Sequence, residues 1–157
     1  MQLYFLRHGL ADWPDWDSAR DGERPLTDEG IEKMKAEAKA IQRLGVQLDA
    51  ILSSPLVRAR QTAEAVARRL DMDVIEDAAL APGFDAERLR GILRRHARAG
   101  ALMLVGHEPD FGRSVAHLIG GGRVAMKKGG LARVDLESLE PPSGTLVWLL
   151  APKVLTQ

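Results

Sequence analysis

Apolar and polar positions alternate along the chain in a pattern that predicts strands and helices in turn. Short apolar runs, bounded by polar or turn-forming residues, are typical of buried strands. These runs cover residues 2–6, 50–53, 74–75 and 101–105. Two later runs, 131–136 and 145–150, predict a final strand pair with residues 141–144 in the turn.

Four helices are predicted between these strands from apolar residues that recur every three or four positions. The first has Thr27 as its N-cap and ends at Gly45. The second begins at Pro55, the third is an arginine-rich helix over 86–99, and the fourth runs from Pro109 to about 119. The alternation predicts an α/β fold, a three-layer sandwich with a mostly parallel central sheet flanked by helices. The polar segment 11–24 predicts a surface loop.

Composition narrows the functional classes. The 157 residues are enough for one ordinary domain, and 22 basic residues balance 22 acidic residues, so the formal net charge is zero. A neutral chain has no global field for nucleic acid or an anionic membrane surface. The sequence has no cysteine, which excludes disulfides, thiolate catalysis, zinc ribbons and iron–sulfur clusters. No signal peptide or membrane span is expected, and a cytoplasmic location is the default.

Polar clusters follow three of the predicted strands directly. The first strand ends in Arg7-His8-Gly9, the second in Ser53-Ser54 with Arg58 one turn on, and the fourth in Gly106-His107. In open α/β sheets, sites form outside the carboxyl ends of the strands. If these strands are neighbours, two histidines and two arginines share one pocket.

Such a pocket suits a phosphate. Each guanidinium offers a planar fork of donors, and the helix N-termini near Arg58 and His107 favour an anion as well. A neutral imidazole is a competent nucleophile toward phosphorus, and nearby arginines would keep His8 neutral. The pattern therefore predicts phosphoryl transfer through a phosphohistidine. A protonated His107 would counter the charge of the transition state.

These motifs resemble those of the histidine phosphatase (phosphoglycerate mutase-like) superfamily. Arg7-His8-Gly9 is similar to its Arg-His-Gly signature, residues 53–63 to its second motif, and residues 105–109 to its third. Residues 24–30 resemble the segment between the first two. The short length and the Gly-His-Glu-Pro form are most similar to the small SixA-type phosphohistidine phosphatases.

The resemblance implies that residues 1–157 form a single histidine phosphatase domain that uses neither metal nor cofactor. His8 would be the nucleophile, Arg7 and Arg58 the phosphate clamp, and His107 a second phosphate contact. Gly9 would belong to the substrate-binding set. The substrate would be a phosphorylated protein, such as a histidine-containing phosphotransfer or kinase domain.

The chain departs from the family pattern at the proton donor. Larger members have a glutamate that protonates an alcohol leaving group, and this sequence has Pro82 at about that position, with Asp85 close by as a possible substitute. A phosphoramidate needs no strong acid, because imidazole leaves readily once protonated. The departure therefore favours phosphohistidine over sugar phosphates.

Other readings stay open at this point. A small-molecule phosphomonoester or nucleotide phosphatase uses the same chemistry, and a non-catalytic phosphate-binding module uses only the clamp. Ser53 and Ser54 lack a nucleophile elbow and suit turn or capping roles. Glu108 is an acid or a helix cap, with the cap favoured. The loop with Trp13 and Trp16 is a lid, a docking edge or a plain surface loop. The arginines at 88, 90, 94, 95 and 98 are a solvated face or a docking surface.

Overall fold

One mixed sheet organises the chain, and the computed structural model describes all 157 residues. Its strands are β1 (Gln2–Arg7), β2 (Ala50–Ser53), β3 (Val74–Glu76), β4 (Ala101–Gly106), β5 (Leu131–Leu139) and β6 (Pro142–Leu150). The strand order is β3-β2-β4-β1-β5-β6. The β1–β4, β2–β4 and β2–β3 pairs are parallel, whereas β5 runs antiparallel to both β1 and β6. The predicted, largely parallel sheet is confirmed.

Five α-helices accompany the sheet: α1 (Asp28–Arg43), α2 (Val57–Leu70), α3 (Ala86–Arg95), α4 (Asp110–Leu118) and the short α5 (Pro152–Leu155). Apolar residues of α1 and α2, such as Met34 and Val66, pack against one face of the sheet. Residues of α3 and α4, such as Ile92 and Phe111, pack against the other. The three-layer α/β sandwich is therefore confirmed, with an apolar core on each side of the sheet.

Local signals explain most helix ends. Thr27 caps α1 as predicted, since its side chain accepts a hydrogen bond from the amide of Gly30 at 3.0 Å. The third helix is shorter than the sequence predicts, because α3 ends at Arg95 and residues 96–99 form a turn. Residues 18–23 of the predicted loop form a short 3₁₀ segment.

The final strand pair is longer than predicted. Residues 142–144, placed in the turn by sequence, begin β6 instead, and the turn is reduced to Glu140 and Pro141. Pro142 is the first residue of an edge strand, a position at which proline is tolerated. No helix in the structure is long and apolar enough to cross a membrane.

Candidate active site

The carboxyl ends of β1, β4 and β2 lie side by side at one edge of the sheet. Arg7 is paired with Gly106, and Ser53 with Val105, so the three polar clusters leave the sheet at the same level. Beyond this edge is a cavity of about 420 Å³ that no hydrophobic side chain lines. We call it the histidine cavity. It brings together the four residues predicted to act on phosphate, Arg7, His8, Arg58 and His107.

The His8 ring is buried and held by its own segment. Its Nδ1 lies 2.8 Å from the carbonyl oxygen of Gly9, and a carbonyl only accepts, so Nδ1 carries the proton. Nε2 is then the nitrogen with the free electron pair. Burial and, to a lesser extent, the charges of Arg58 and Arg7 together lower the pKa of His8 to about 4, against the opposing effect of the Gly9 hydrogen bond. At neutral pH the ring is neutral, which nucleophilic attack requires.

The His107 ring lies beside that of His8, with their centroids 5.4 Å apart. Its Nε2 is 2.7 Å from the hydroxyl oxygen of Ser54, and its buried Nδ1 has no hydrogen-bond partner. Burial, followed by the charges of His8 and Arg58, lowers the pKa of His107 to about 3. His107 is therefore neutral in this structure, and the positive charge considered from sequence requires an anion to raise its pKa.

Both arginines make hydrogen bonds only through the terminal Nη atoms of their guanidinium groups. Arg7 donates from Nη1 to the carbonyl of Met126 at 2.8 Å. Arg58 donates to the backbone carbonyl of Asp21 at 2.9 Å and to its carboxylate at 3.0 Å. The Nε atom of each guanidinium is buried and unpartnered. Burial lowers the pKa of both side chains, but an arginine stays charged at neutral pH.

Position in the chain explains why Arg58 reaches the cavity. It lies in the first turn of α2, directly after the loop that leaves β2. One turn later, the Thr62 hydroxyl donates to the Arg58 carbonyl at 2.8 Å and accepts from the amide of Gly9 at 3.0 Å. This bridge fixes α2 to the segment that carries His8.

Three carboxylates line the cavity, and each is already engaged. Asp12 pairs with Lys128, and Asp21 with Arg58 and Arg24. The hydrogen bond from Lys128 lowers the pKa of Asp12. Burial opposes ionisation of Asp21, but the hydrogen bonds and charges of the two arginines lower its pKa overall.

The third carboxylate belongs to Glu108, which accepts from the amides of Gly112 at 2.6 Å and Met126 at 3.3 Å. The bond to Gly112 spans the first turn of α4, so Glu108 has the capping geometry that the sequence favoured. Glu108 also lines the histidine cavity.

Two sequence candidates do not reach this cavity. Asp85, the possible proton donor, is the N-cap of α3 and accepts from the amide of Arg88 at 2.9 Å on the surface. Pro82, not a carboxylate, lines the cavity wall. Gly9 lies behind His8, where its amide is taken by Thr62, so it offers no donor to a ligand in the cavity. In this structure neither Asp85 nor Gly9 lines the cavity, and the carboxylate of Asp85 and the amide of Gly9 both have intramolecular partners.

The remaining sequence candidates lie around the cavity or away from it. Ser54 accepts from the amide of Leu56 at 3.3 Å, and its hydroxyl supports His107. His117 is exposed and His96 half-buried, both outside the cavity. Arg90 and Arg94 pair with Glu140, and Arg95 pairs with Asp77. These partners fit the solvated-face interpretation of the arginine helix.

Four residues of the cavity wall are outside the set of site residues predicted from sequence: Asp12, Asp21, Arg24 and Lys128. Two signals were present, the run of aspartates in the polar loop and the Lys127-Lys128 pair before β5. Neither could be placed without the fold, because the loop reaches Arg58 across 37 positions of sequence. Trp13, 40% exposed, and Trp16 border an open groove next to the cavity.

No group of three or more histidine, aspartate, glutamate or cysteine side chains is arranged to hold a metal ion. The cavity contains two neutral imidazoles and two guanidiniums. Together they offer a nucleophilic nitrogen and a set of donors suited to a tetrahedral oxyanion.

Comparison with known proteins agrees with this chemistry. Residues 3–82 match the model of the histidine phosphatase superfamily, branch 1. An uncharacterised protein of Picosynechococcus is 41% identical over 138 residues, covering 83% of this chain and 82% of that protein. The phosphohistidine phosphatase SixA of Escherichia coli is 30% identical over 159 residues, covering 97% of this chain and 94% of that one. The structure of SixA complexed with tungstate superposes with a TM-score of 0.85, at 28% identity and 98% coverage of both chains.

Proposed function

The chain belongs to the histidine phosphatase superfamily and is a phosphatase, and we propose that it hydrolyses phosphohistidine on a protein through a phosphorylated His8. The relative at 30% identity is named a phosphohistidine phosphatase, which supports this substrate. The whole chain acts as one domain in this proposal, since β1 and β6, from its two ends, belong to the same sheet. The shared sheet matters because His107 lies outside residues 3–82, the segment that matches the family model.

The observation that carries the substrate assignment is the state of the carboxylates in the histidine cavity. Asp12 and Asp21 are paired with cations, and Glu108 with two amides. None is free to protonate a leaving alkoxide, and a general acid contributes about 10²–10⁴-fold to such a reaction. Phosphohistidine avoids this requirement, because its leaving imidazole departs as a neutral ring when its second nitrogen carries a proton.

The reaction then has two displacements at phosphorus. The free electron pair on His8 Nε2 forms a P–N bond while the P–N bond to the substrate histidine breaks, and the substrate ring leaves with both electrons of that bond. Water next attacks the phosphorus of phospho-His8, releasing inorganic phosphate and restoring the imidazole. The Gly9 carbonyl keeps the proton on Nδ1 throughout, so Nε2 remains the reacting nitrogen.

Arg7, Arg58 and His107 hold the transferring group in this mechanism. The two guanidiniums neutralise charge on the equatorial oxygens. A bound dianion raises the pKa of His107, which then shares a proton with a phosphate oxygen. No step uses a metal, so turnover is expected to survive a chelator.

A rapid-quench experiment tests the proposal. A small protein labelled with radioactive phosphate on histidine is mixed with wild type, His8→Ala or His117→Ala, with chelator present throughout. His117 is an exposed histidine outside the cavity and serves as the matched control. Wild type and His117→Ala should carry an acid-labile, base-stable label, and His8→Ala should carry none and lose at least about 10⁴-fold in turnover.

Three outcomes would contradict parts of the proposal separately. Equal phosphate release by His8→Ala would exclude His8 as nucleophile. Turnover lost only with chelator would exclude metal independence. Release from an aryl phosphate but not from phosphohistidine would leave the mechanism and replace the substrate with a phosphomonoester.

A further inference from the structure

A second cavity, of about 540 Å³, lies between α1, the segment before β5 and the C-terminal α5. We call it the lysine cavity. Its walls include Lys33 and Met34 from α1, Lys127 from the segment, and Pro152 and Lys153 from the region of α5. It is separate from the histidine cavity, although Lys128 lines both.

The lysine cavity has a strongly positive rim. Each of its three walls contributes a lysine, and Glu37 is the one acidic residue among the lining side chains. Lys33 pairs with Glu29 at 2.8 Å, and Lys128 pairs with Asp12. Lys127 and Lys153 have no ion-pair partner, so these two ammonium groups are the ones available to an anion.

At the base of this cavity is a buried carboxyl group without a partner. Glu37 is 2% exposed, and its Oε2 makes no hydrogen bond. The carboxyl lies against Gly129, whose φ of 77° and lack of a side chain allow this close approach. Burial raises the pKa of Glu37 to about 8, despite the charge of Lys33, so the carboxyl is protonated at neutral pH and offers an O–H donor.

Apart from Thr156 and Gly9, the rest of the lining is apolar. Leu10, Met34, Ala36, Ala151 and Pro152 line the cavity between the lysines and Glu37. A phosphate or carboxylate alone would leave this surface uncovered. A ligand that uses the whole cavity therefore has both a charged group and an apolar body.

We propose that the lysine cavity binds a small organic anion. Its charged group lies between Lys127 and Lys153, its apolar part packs against Met34 and Pro152, and it accepts a hydrogen bond from Glu37. An occupant would contact Lys127 and Lys128 in the segment before β5. The next residue, Gly129, supports the loop that carries His8, since its amide donates to the carbonyls of Arg7 at 3.1 Å and His8 at 3.0 Å. The site does not depend on the proposed phosphatase substrate, and its test measures binding alone.

The probe is 8-anilinonaphthalene-1-sulfonate, which combines an apolar ring system with one anionic group and fluoresces when bound. Titrations are done with and without saturating inorganic phosphate, so that dye displaced from the histidine cavity is distinguished from dye held in the lysine cavity. Three variants are compared with wild type. Ala36→Trp fills the lysine cavity from an exposed position, Lys127→Glu/Lys153→Glu reverses its charge, and Lys39→Glu on the same helix is the matched control outside it.

We expect saturable binding at one site in wild type and Lys39→Glu. Ala36→Trp should abolish it, and the double charge reversal should weaken it by at least about tenfold. Circular dichroism and thermal unfolding establish that each variant is folded. The absence of saturable binding in wild type, or an unchanged affinity in Ala36→Trp, would overturn the proposal.

Dye titrations at several pH values test the role of Glu37 separately. Above pH 8 its carboxyl ionises and repels the dye, whereas Glu37→Gln stays neutral and keeps an N–H donor. The affinity of wild type should therefore fall between pH 7 and 9 by about tenfold, and that of Glu37→Gln should not. An equal fall in both proteins would overturn the assigned role of Glu37.

Discussion

The two cavities contain side chains of similar burial that are stabilised in opposite ways. Arg58 in the histidine cavity is 5% exposed, and Glu37 in the lysine cavity is 2% exposed. The charge of Arg58 is compensated by the carboxylate of Asp21, which lies 3.0 Å away. Glu37 has no such partner and is held neutral. Burial disfavours the charged form of both groups, but the guanidinium stays charged at neutral pH beside a paired carboxylate, whereas the carboxyl, without a cation partner, keeps its proton.

This difference fits the chemistry of each cavity. The histidine cavity combines fixed cations with neutral rings, as a phosphoryl-transfer site requires. The lysine cavity has exposed ammonium groups at its rim and a neutral acid among its lining side chains, an arrangement suited to reversible binding. Three variants test the comparison, one at Arg58, one at Glu37 and one at the carboxylate that pairs with Arg58.

The largest effect is expected from removing the charged member of the first cavity. Arg58→Ala should lower kcat/KM by about 10²–10³-fold, because its donors act on charge that develops in the transition state. The affinity for inorganic phosphate, measured by calorimetry, should fall as well. The control is Arg60→Ala, an exposed arginine on the same helix that pairs with Glu64 and Glu76. Unchanged phosphate affinity in Arg58→Ala would remove this residue from the clamp.

The sequence could predict Arg58 because its neighbours carry strong local signals. A buried strand followed by Ser53-Ser54 and a helix start places residue 58 at a sheet edge, whatever the rest of the fold. His8 and His107 are predictable for the same reason. Each follows a strand directly, and parallel strands bring their carboxyl ends together.

The rest of both cavities depends on contacts that local pattern does not encode. Asp21 reaches Arg58 from a polar loop, and Lys128 reaches Asp12 across 116 positions. The sequence pattern predicts an ordinary polar position of α1 at Glu37, and only the fold shows that Gly129 packs against it. Asp85 is the opposite case: the sequence places its carboxylate near the expected position of the proton donor, but in the structure this carboxylate caps α3. Loop conformation and long-range packing decide these cases, and neither has a periodic signature.

The second prediction concerns Glu37 and the pH dependence of stability. The pKa of Glu37 is about 8 in the folded protein, raised from an ordinary value of 4.5. The folded state therefore keeps a proton that the unfolded state loses, and the unfolding free energy falls as pH rises through this window. The two histidines act oppositely. Their lowered pKa values, about 4 and 3, make the protein less stable as pH falls below about 6.5.

Urea denaturation of wild type and Glu37→Gln between about pH 6.5 and pH 8.5 isolates the glutamate, since the histidines titrate alike in the two proteins. Across this range wild type should lose about 2 kcal/mol more unfolding free energy than Glu37→Gln. Glu32→Gln, an exposed glutamate of the same helix paired with Lys35, controls for surface charge. Parallel pH profiles for Glu37→Gln and wild type would mean that Glu37 is not a buried neutral acid.

The smallest effect is expected from Asp21→Asn, which removes the negative charge beside Arg58 but keeps an oxygen that can accept its hydrogen bond. Asp21 is ionised at neutral pH, because Arg58 and Arg24 lower its pKa. A phosphate in the cavity would be repelled by this charge, so the variant should bind inorganic phosphate roughly threefold to tenfold more tightly, and the gain should shrink at high salt. Asp17→Asn, on the exposed part of the same loop, is the control. Weaker phosphate binding in Asp21→Asn would show that the carboxylate contributes by orienting Arg58 more than it costs by repelling the ligand. In that case the ion pair between Asp21 and Arg58 would be part of the phosphate clamp. Arg58 and Glu37 would then differ in how they recognise a ligand as well as in their charge.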